Sequence, residues 1–320
     1  MLFRVTTLAL CCAALAACSP QNQTAQPTAA SPAAASAAAS QTVTVQTARG
    51  EATVPLNPER IAVYDLGMID TLHKLGVPIG AAVDQSRLDY VQAAIADAQK
   101  VGTLFEPNYE ALHAYQPQLI IIGSRGAKAF DELSKLAPTI EMTADTQNMR
   151  ESAKARIDAF GLIFSKQAEA EALKAEIDAA FEAAKTAAQG KGNGLVIIVN
   201  GGKMSAFGPA SRLGGWLHHD IGIPPVDDSI KEGSHGQPIS FEYIKQHNPD
   251  WLFVLDRSAA IGEEGQAAQD VLNNPLVAET TAWQKGQVVY LQAGTYLAAG
   301  GAQQLLDATA QVKSAFEAAK

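Results

Sequence analysis

Three arginines stand where strands or loops of the chain are expected to end, and their chemistry suits a bound anion. Arg125 and Arg257 occupy matched positions in two similar stretches, and Arg212 follows a predicted strand in a Gly- and Pro-rich turn. Arginine is permanently charged, weakly hydrated and forked, so three that converge would bind a polyanionic ligand with delocalised oxygens. Each arginine could instead pair with a local carboxylate, as Asp256 beside Arg257 would allow.

His235 and Tyr296 lie in predicted loops, where neither has an evident place in the core. His235 is flanked by glycines just before the second of the two stretches, and Tyr296 follows the last predicted strand. Loops on rigid scaffolds concentrate binding residues. Phenolate oxygen and imidazole nitrogen are reasonable ligands for Fe(III), a hard cation that prefers oxygen. A solitary loop histidine is more often simply solvated, so the alternative stays open.

Catalytic motifs are missing from the sequence. It contains no His-Glu-x-x-His and no Gly-x-Ser-x-Gly, and Asn200-Gly201-Gly202-Lys203 lacks the spacing of a complete phosphate-binding loop. The formal net charge of -9 argues against nucleic acid and anionic membrane surfaces as partners. We therefore expect a binding protein and not an enzyme.

The two similar stretches, residues 107–125 and 238–257, predict how the arginines are positioned. Each contains a Glu (Glu110 or Glu242), then a Pro and, at the same spacing, the Arg. A short helix fits between Glu and Pro, and the apolar run after the Pro is typical of a buried strand. Ligands of open α/β sheets bind outside the carboxyl ends of the strands. We therefore expect two similar lobes, each of which offers an arginine to a shared cleft.

Glu110 and Glu242 fall in the first turns of their predicted helices. The helix dipole favours a carboxylate there by a few tenths to about 1 kcal/mol, which is a sufficient structural reason. The functional alternative is a pair of exposed charges, one on each lobe, that docks on a partner with two-fold symmetry.

Strand and helix patterns alternate on both sides of a purely helical segment. Residues 42–55 predict a hairpin. Strands are predicted at residues 61–65, 79–84, 119–122, 139–142, 195–200, 204–208, 251–255 and 288–292, and helices at residues 66–75, 90–100, 127–136, 212–221 and 303–318. Residues 146–189 contain helix formers without a strand signal, and Ser165 is a plausible N-cap that divides them into two helices.

This segment is interpreted either as a surface helix pair or as a rigid bridge, and the bridge is favoured because the strand–helix alternation resumes directly after it. The predicted fold class is α/β, with two similar Rossmann-like lobes of mostly parallel sheets, joined by a long rigid α-helix, and a ligand cleft between them. The predicted N-terminal lobe comprises residues 42–145, the helical bridge residues 146–189 and the C-terminal lobe residues 190–320.

The first 41 residues are predicted to target and tether the folded part. Residues 1–17 have the charge and apolar core of a secretory signal peptide, and Leu15-Ala16-Ala17-Cys18 resembles a bacterial lipobox, in which Cys18 would be lipidated. An ordinary cleavage site near a cysteine is the alternative. Residues 18–41 are rich in Ala, Ser and Pro without a charge, which predicts a flexible tether.

Together these motifs resemble a known family. The lipobox, the Asn-Pro-x-Arg-Ile-Ala-Val-Tyr start at residues 57–64, the stretch at residues 102–122 and the helical bridge are similar to helical-backbone periplasmic solute-binding proteins, which feed ABC importers of ferric siderophores, haem and cobalamin. The chain looks closest to the ferric-enterobactin-type lipoproteins, which accept catecholate siderophores and their linear tetradentate fragments. The resemblance covers the chain from residue 42 onward.

The resemblance implies a periplasmic, membrane-anchored and monomeric carrier that delivers a ferric siderophore to an ABC permease dimer with its ATPase and has no permanently bound cofactor. It assigns three residue groups: Arg125, Arg212 and Arg257 line the cleft, His235 and Tyr296 complete the coordination of Fe(III), and Glu110 and Glu242 meet arginines of the permease. The bridge should limit lobe closure. The alternatives are a haem or cobalamin carrier of the same fold, a carrier of free metal, and an enzyme that uses the cleft.

Overall fold

The computed structural model describes residues 41–230, 233 and 235–319 of the 320-residue chain. The predicted signal peptide, Cys18 and all of the predicted tether except Gln41 lie outside these residues. Among the described residues, no helix has the length and apolar character that a membrane span requires.

The N-terminal lobe is built around a parallel five-stranded sheet, preceded by a separate hairpin. The hairpin consists of β1 (Thr42–Thr47) and β2 (Gly50–Pro55), as predicted. The elements that follow are β3 (Ile61–Tyr64), α1 (Leu66–Lys74), β4 (Ala81–Ala82), α2 (Asp89–Ala94), β5 (Gln99–Lys100), α3 (Tyr109–Tyr115), β6 (Leu119–Ile122), a 3-10 helix (Ser124–Ala129), α4 (Phe130–Leu133) and β7 (Thr139–Glu141). The strand order is β5-β4-β3-β6-β7. Every residue of β3 and β6 is buried, as expected of central parallel strands.

Two long helices follow this lobe. α5 spans Met149–Ile163 and α6 spans Gln167–Ala188, which correspond to lengths of about 22 Å and about 33 Å. The prediction of Ser165 as an N-cap is wrong: Ser165 has a left-handed backbone (φ 54°), and Lys166 precedes α6. Because the Ser165 hydroxyl accepts a 2.8 Å hydrogen bond from the Asn57 side chain, it joins the turn to the N-terminal lobe.

The C-terminal lobe contains a second five-stranded sheet with the equivalent strand order, β10-β9-β8-β11-β12. Its elements are β8 (Gly194–Asn200), β9 (Lys203–Phe207), a π-helical turn (Trp216–Asp220), β10 (Gln237–Ile239), α7 (Phe241–His247), β11 (Trp251–Asp256), α8 (Arg257–Ile261), α9 (Ala268–Leu272), α10 (Pro275–Ala278), α11 (Thr281–Gln284), β12 (Val288–Tyr290), α12 (Gly294–Leu297) and α13 (Ala302–Ala318). β8, β11 and β12 are parallel, whereas β9 is antiparallel to both of its neighbours. The predicted fold class of two similar α/β lobes is confirmed.

One predicted helix in the N-terminal lobe is too long. The helix predicted at residues 90–100 ends at Ala94, and Gln99–Lys100 forms an edge strand instead. The backbone here bonds to the neighbouring strand, since the Gln99 N–H donates to the Gly80 carbonyl and the Val101 N–H donates to the Ala82 carbonyl. Pairing with a distant strand outweighs the local helical pattern here.

The helix predicted at residues 212–221 is shortened to the π-helical turn at Trp216–Asp220. Two glycines pack so closely that a Cβ on Gly214 would meet the Gly208 carbonyl and one on Gly215 would meet the Thr146 carbonyl. This packing against distant backbone replaces the first turns of the helix. β10, at the edge of the C-terminal sheet, lies in a segment for which no strand was predicted. In the N-terminal lobe, the helix predicted at residues 127–136 begins as the 3-10 helix.

One hydrophobic core runs through both lobes. It includes the N-terminal sheet, the helices α5, α6 and α13, and one face of the C-terminal sheet, where Phe316 of α13 packs edge-on against Trp251 and Phe253. A smaller core covers the other face of that sheet. The long helices therefore share buried surface with both lobes.

Two buried charged residues reinforce this connection. Arg156 of α5 donates hydrogen bonds to the carbonyls of Met142, at the end of the N-terminal sheet, and Gly300, before α13, at 3.4 and 2.7 Å. Asp70 of α1 accepts hydrogen bonds from the backbone N–H groups of Gln303 and Gln304, at 2.7 and 2.9 Å. The first turn of α13 is thus capped by a carboxylate from the N-terminal lobe.

Candidate functional site

The two repeated stretches have one local structure. Each contains a helix of seven residues, α3 or α7, whose N-cap side chain, Asn108 or Ser240, accepts a backbone hydrogen bond. Each helix ends at a left-handed residue, Gln116 (φ 52°) or Asn248 (φ 44°), and a Pro follows. The buried strand comes next, so the repeat predicted from the sequence is confirmed.

Arg125 and Arg257 stand just beyond the carboxyl ends of equivalent strands. Arg125 lies in the 3-10 helix after β6, and Arg257 is the first residue of α8, directly after β11. Because β6 and β11 occupy the same position in their sheets, the two arginines approach one cleft from opposite lobes. Arg212 lies in the turn between β9 and the π-helix, in the C-terminal lobe.

The three arginines meet around the ring of Tyr296. Their guanidinium carbons lie 4.6 Å (Arg212), 5.8 Å (Arg125) and 5.9 Å (Arg257) from the ring centroid, within the range of cation–π attraction. Arg257 also donates a 3.1 Å hydrogen bond from Nε to the Tyr296 hydroxyl. The convergence predicted from the sequence is present, and Tyr296 is its centre.

The ion pairs that could have explained these arginines locally are largely missing. Asp256 does not pair with Arg257; its two carboxylate oxygens accept the N–H groups of Ala259 and Ala268 instead. Arg257 instead forms one ion pair with another nearby carboxylate, that of Glu263, at 3.5 Å. Arg125 reaches across the cleft and donates to the carbonyls of Tyr296 and Leu297, at 2.9 and 3.1 Å.

The electrostatics of the site favour an anion. Burial lowers the pKa of Arg212, and the positive charges of Arg125 and Arg257 lower it further, although Tyr296 counteracts them. Burial would raise the pKa of Tyr296, but the hydrogen bonds and charges of Arg257 and Arg212 outweigh it and hold the pKa below its usual value. A bound polyanion would relieve the repulsion between these cations.

His235 faces the same cavity as the arginine cluster. This cavity, of about 380 Å³, is bounded by Arg212, Arg257, Tyr296 and the exposed His235. The structure therefore brings both predicted iron ligands to one cavity, while their coordination of iron stays a prediction. Within residues 41–319, as far as they are described, no group of three or more His, Cys, Asp or Glu side chains could hold a metal ion.

A second cavity, of about 150 Å³, continues the cleft between the lobes. It shares Arg212 with the first cavity, and Arg125, Asp65 and the buried Arg156 line its inner part. The second cavity therefore adjoins the first at Arg212 and extends towards the N-terminal lobe.

Sequence reasoning missed two polar residues of this cleft, Asn200 and Lys203. Both line the cavity of Tyr296, and Asn200 accepts a 3.1 Å hydrogen bond from Arg257. They flank the Gly-Gly turn that joins β8 to β9. A signal was available, because this turn follows the carboxyl end of a predicted strand.

Glu110 and Glu242 are exposed, and neither lines the cleft cavities described above. They occupy the first turns of α3 and α7, as predicted. A hydrogen bond from the Ser240 hydroxyl lowers the pKa of Glu242, so this carboxylate is ionised at neutral pH.

Comparisons with known proteins match most of the chain to one family. A family described as "Periplasmic binding protein" matches residues 61–295. The petrobactin-binding protein of Bacillus subtilis is 40% identical over 278 residues, which cover 85% of this chain and 87% of that protein. Its crystal structure superposes with a TM-score of 0.83 at 37% identity and covers 87% of this chain and 99% of that chain.

Two further relatives have names that mention iron carriers. The ferric-anguibactin-binding protein of Vibrio anguillarum is 33% identical over 263 residues, 79% of this chain and 81% of that protein. The periplasmic catecholate-siderophore binding protein of Vibrio cholerae has a crystal structure with a TM-score of 0.80 at 32% identity, which covers 87% of this chain and 100% of that chain.

Proposed function

This chain belongs to the periplasmic binding protein family, and from that membership we propose that it captures a ferric catecholate siderophore and delivers it to an ABC permease. The names of its relatives, which mention petrobactin, anguibactin and catecholate siderophores, support a ferric siderophore as the ligand. We further propose that the protein acts in the periplasm as a monomeric lipoprotein anchored through Cys18.

The convergence of three guanidinium groups on Tyr296 carries this proposal. A ferric catecholate complex is anionic, aromatic and covered with oxygen atoms. Arginine matches all three properties, because it supplies a permanent charge, donates to oxygen and stacks on aromatic rings. A neutral ligand would leave the repulsion among the three cations in place.

Tyr296 and His235 would complete the coordination of the iron. A tetradentate bis-catecholate leaves two positions of an octahedral Fe(III) ion open, and a phenolate oxygen and an imidazole nitrogen can fill them. The lowered pKa of Tyr296 supports this role, because less free energy is needed to form the phenolate.

A titration of the full-length protein in detergent micelles tests the proposal. The probes are a tetradentate and a hexadentate ferric catecholate, followed by fluorescence quenching and by the visible charge-transfer band. Tight binding of the tetradentate complex is expected, with a band that changes in both His235→Ala and Tyr296→Phe. The matched controls, His73→Ala and Tyr290→Phe, alter residues that line none of the cleft cavities described above.

Other outcomes separate the parts of the proposal. Tight binding with an unchanged band in both variants would reject the two iron ligands and retain a carrier that recognises the siderophore shell. Binding of haem or cobalamin in place of either catecholate complex would reject the siderophore and retain a carrier.

We also propose that Glu110 and Glu242 dock on arginines of the permease dimer, one glutamate from each lobe. Their matched positions in α3 and α7 and their exposure support this role. Glu110→Ala and Glu242→Ala should leave siderophore affinity unchanged and reduce stimulation of the permease ATPase. The control is Glu132→Ala, an exposed carboxylate outside the repeats. Full stimulation by the double variant would contradict docking.

A further inference from the structure

A third cavity opens beside the arginine cluster, at the boundary between the lobes. We call it the side cavity; its volume is about 350 Å³, and its apolar lining consists of Leu66, Val83, Leu104, Phe105, Ile261 and Leu297. Leu297 also lines the inner cavity that holds Arg125, and it directly follows Tyr296 in the chain. The side cavity therefore adjoins the inner cavity at Leu297, the residue next to the proposed iron ligand Tyr296.

Phe105 is the most exposed large hydrophobic residue in the described part of the chain, with 68% of its surface accessible. Its loop is well constrained, because the Thr103 hydroxyl accepts the N–H groups of Phe105 and Glu106 at 3.3 and 3.0 Å. An aromatic ring held in water at the edge of a cavity is typical of a binding surface.

Arg87 adds one positive charge to this apolar cavity. Its guanidinium lies against Gly262 of the opposite lobe, so closely that a Cβ at residue 262 would overlap it. Gly262 has a left-handed backbone (φ 66°) and ends α8, the helix that begins with Arg257. No hydrogen bond or ion pair of Arg87 to another described residue is present. Asp84 also lines the cavity; one of its oxygens, Oδ1, accepts the Gly102 N–H at 2.9 Å, and it forms no ion pair with Arg87 among the described residues.

We propose that the side cavity binds the non-chelating backbone of the ferric siderophore, as an apolar segment on Phe105 with a carboxylate on Arg87. This inference rests on the proposed function, because the iron-binding catecholates must occupy the arginine cluster for the backbone to reach Leu297. A forked guanidinium without a protein carboxylate fits a carboxylate of the ligand. The apolar walls fit the hydrocarbon part of the same backbone.

Two ferric probes isolate the carboxylate. They are the complexes of bis(2,3-dihydroxybenzoyl)-lysine and of bis(2,3-dihydroxybenzoyl)-1,5-diaminopentane, which share both catechols and the same linker and differ only in one carboxylate. Each is titrated into full-length wild type, Arg87→Gln and Phe105→Ala in detergent, and fluorescence quenching gives the dissociation constants. The controls are Lys135→Gln, which removes an exposed positive charge, and Leu162→Ala, which removes an exposed apolar side chain.

Wild type should bind the carboxylate probe about fivefold more tightly than the other, the upper range for an exposed ion pair. Arg87→Gln should abolish this preference and leave the affinity for the diaminopentane probe unchanged. Phe105→Ala should weaken both probes by about threefold to tenfold, as expected for a lost aromatic contact. Both controls should behave as wild type does.

The inference is overturned if wild type binds the two probes equally, if Arg87→Gln retains the preference, or if Phe105→Ala weakens neither probe. These results differ from failure of the proposed function, in which wild type binds neither ferric complex at all. The thermal transitions of Arg87→Gln and Phe105→Ala should match that of wild type, because both side chains are exposed.

Discussion

At the scale of single residues, Tyr296 belongs to both proposed roles of the cleft, the binding of an anion and the coordination of iron. Its ring lies among three guanidinium groups, and its hydroxyl accepts a hydrogen bond from Arg257. Although burial opposes it, this environment lowers the pKa of the phenol. The residues that would attract an anionic ferric complex therefore also favour the phenolate that would bind its iron.

Arg257→Gln should raise the pKa of Tyr296 towards the ordinary tyrosine value, because it removes a hydrogen-bond donor and a positive charge from the hydroxyl. The measurement is the ultraviolet absorbance of the phenolate as a function of pH, taken as the difference between each protein and its Tyr296→Phe version. Lys135→Gln, which removes a distant exposed charge, is the control. An unchanged or lower pKa in Arg257→Gln would show that the arginine does not stabilise the phenolate.

Arg125 has a second function in the structure beside its predicted contact with the ligand. Its two terminal nitrogens donate to the carbonyls of Tyr296 and Leu297, on the opposite lobe. Arg125 therefore positions the loop that carries the proposed iron ligand. The contact of Arg125 with this loop is observed, and its contact with the ligand stays a prediction.

At the scale of elements, the start of α13 depends on a carboxylate more than 200 residues earlier in the chain. Asp70 of α1 accepts the N–H groups of Gln303 and Gln304, and the Tyr90 hydroxyl donates to it at 3.1 Å. Burial raises the pKa of Asp70 to about 6, although these hydrogen bonds partly oppose the shift. The cap therefore connects two elements at the expense of burying a charge.

The free energy of unfolding should show this cost as a dependence on pH. The folded pKa of about 6 exceeds the ordinary value of 3.8, so the stabilisation from Asp70 is complete below the lower value and is lost as the pH rises through the higher one. As the pH rises between these limits, the free energy of unfolding of wild type should fall by on the order of 3 kcal/mol relative to that of Asp70→Asn. Urea unfolding of both proteins at the two pH limits measures the difference.

Asp131→Asn is the control for this experiment, because Asp131 is an exposed carboxylate at the start of α4. It should follow wild type at both pH values. Parallel pH profiles for wild type and Asp70→Asn would mean that Asp70 titrates in the folded protein as it does in the unfolded chain.

At the scale of the whole molecule, the shared core resists movement of the lobes. α5, α6 and α13 belong to one buried cluster with both sheets, and Arg156 and Asp70 connect these helices to the N-terminal lobe and the α13 region. A large hinge motion would expose this core and break buried hydrogen bonds, each worth about 1–3 kcal/mol when a partner is lost. Small-angle X-ray scattering with and without a ferric catecholate should therefore give nearly equal radii of gyration. A large decrease on binding would contradict the rigid bridge.

The family membership settles the general class of activity. The petrobactin-binding and anguibactin-binding relatives are named as binding proteins, and the family is one of binding proteins, which confirms the prediction that the chain is not an enzyme. The petrobactin-binding and anguibactin-binding relatives are named for cargo that they carry, which agrees with the prediction of a ferric siderophore as ligand and of no resident cofactor. That the ligand of this chain is a catecholate siderophore is part of the proposed function.

Sequence reasoning succeeded best for the two repeats and less well at the edges of the sheets. The N-caps, the left-handed helix ends and the buried strands of the repeats are short-range features, and they placed Arg125 and Arg257 correctly. The strand Gln99–Lys100 was predicted as helix, because its only support is a partner strand about 18 residues earlier. The prediction of Ser165 as an N-cap is wrong for a similar reason, because its hydroxyl bonds to the side chain of Asn57, which is distant in the sequence.

The sequence by itself therefore determined the fold class, the repeated units and the types of side chain that face the cleft, because these follow from hydrophobic period, capping and chain direction. Only the tertiary structure decided which of those side chains meet. The gathering of three arginines on Tyr296, the Asp70 cap on α13 and the contact of Arg87 with Gly262 each join residues far apart in sequence. Such contacts depend on how the lobes and long helices pack together, and no local pattern specifies that packing.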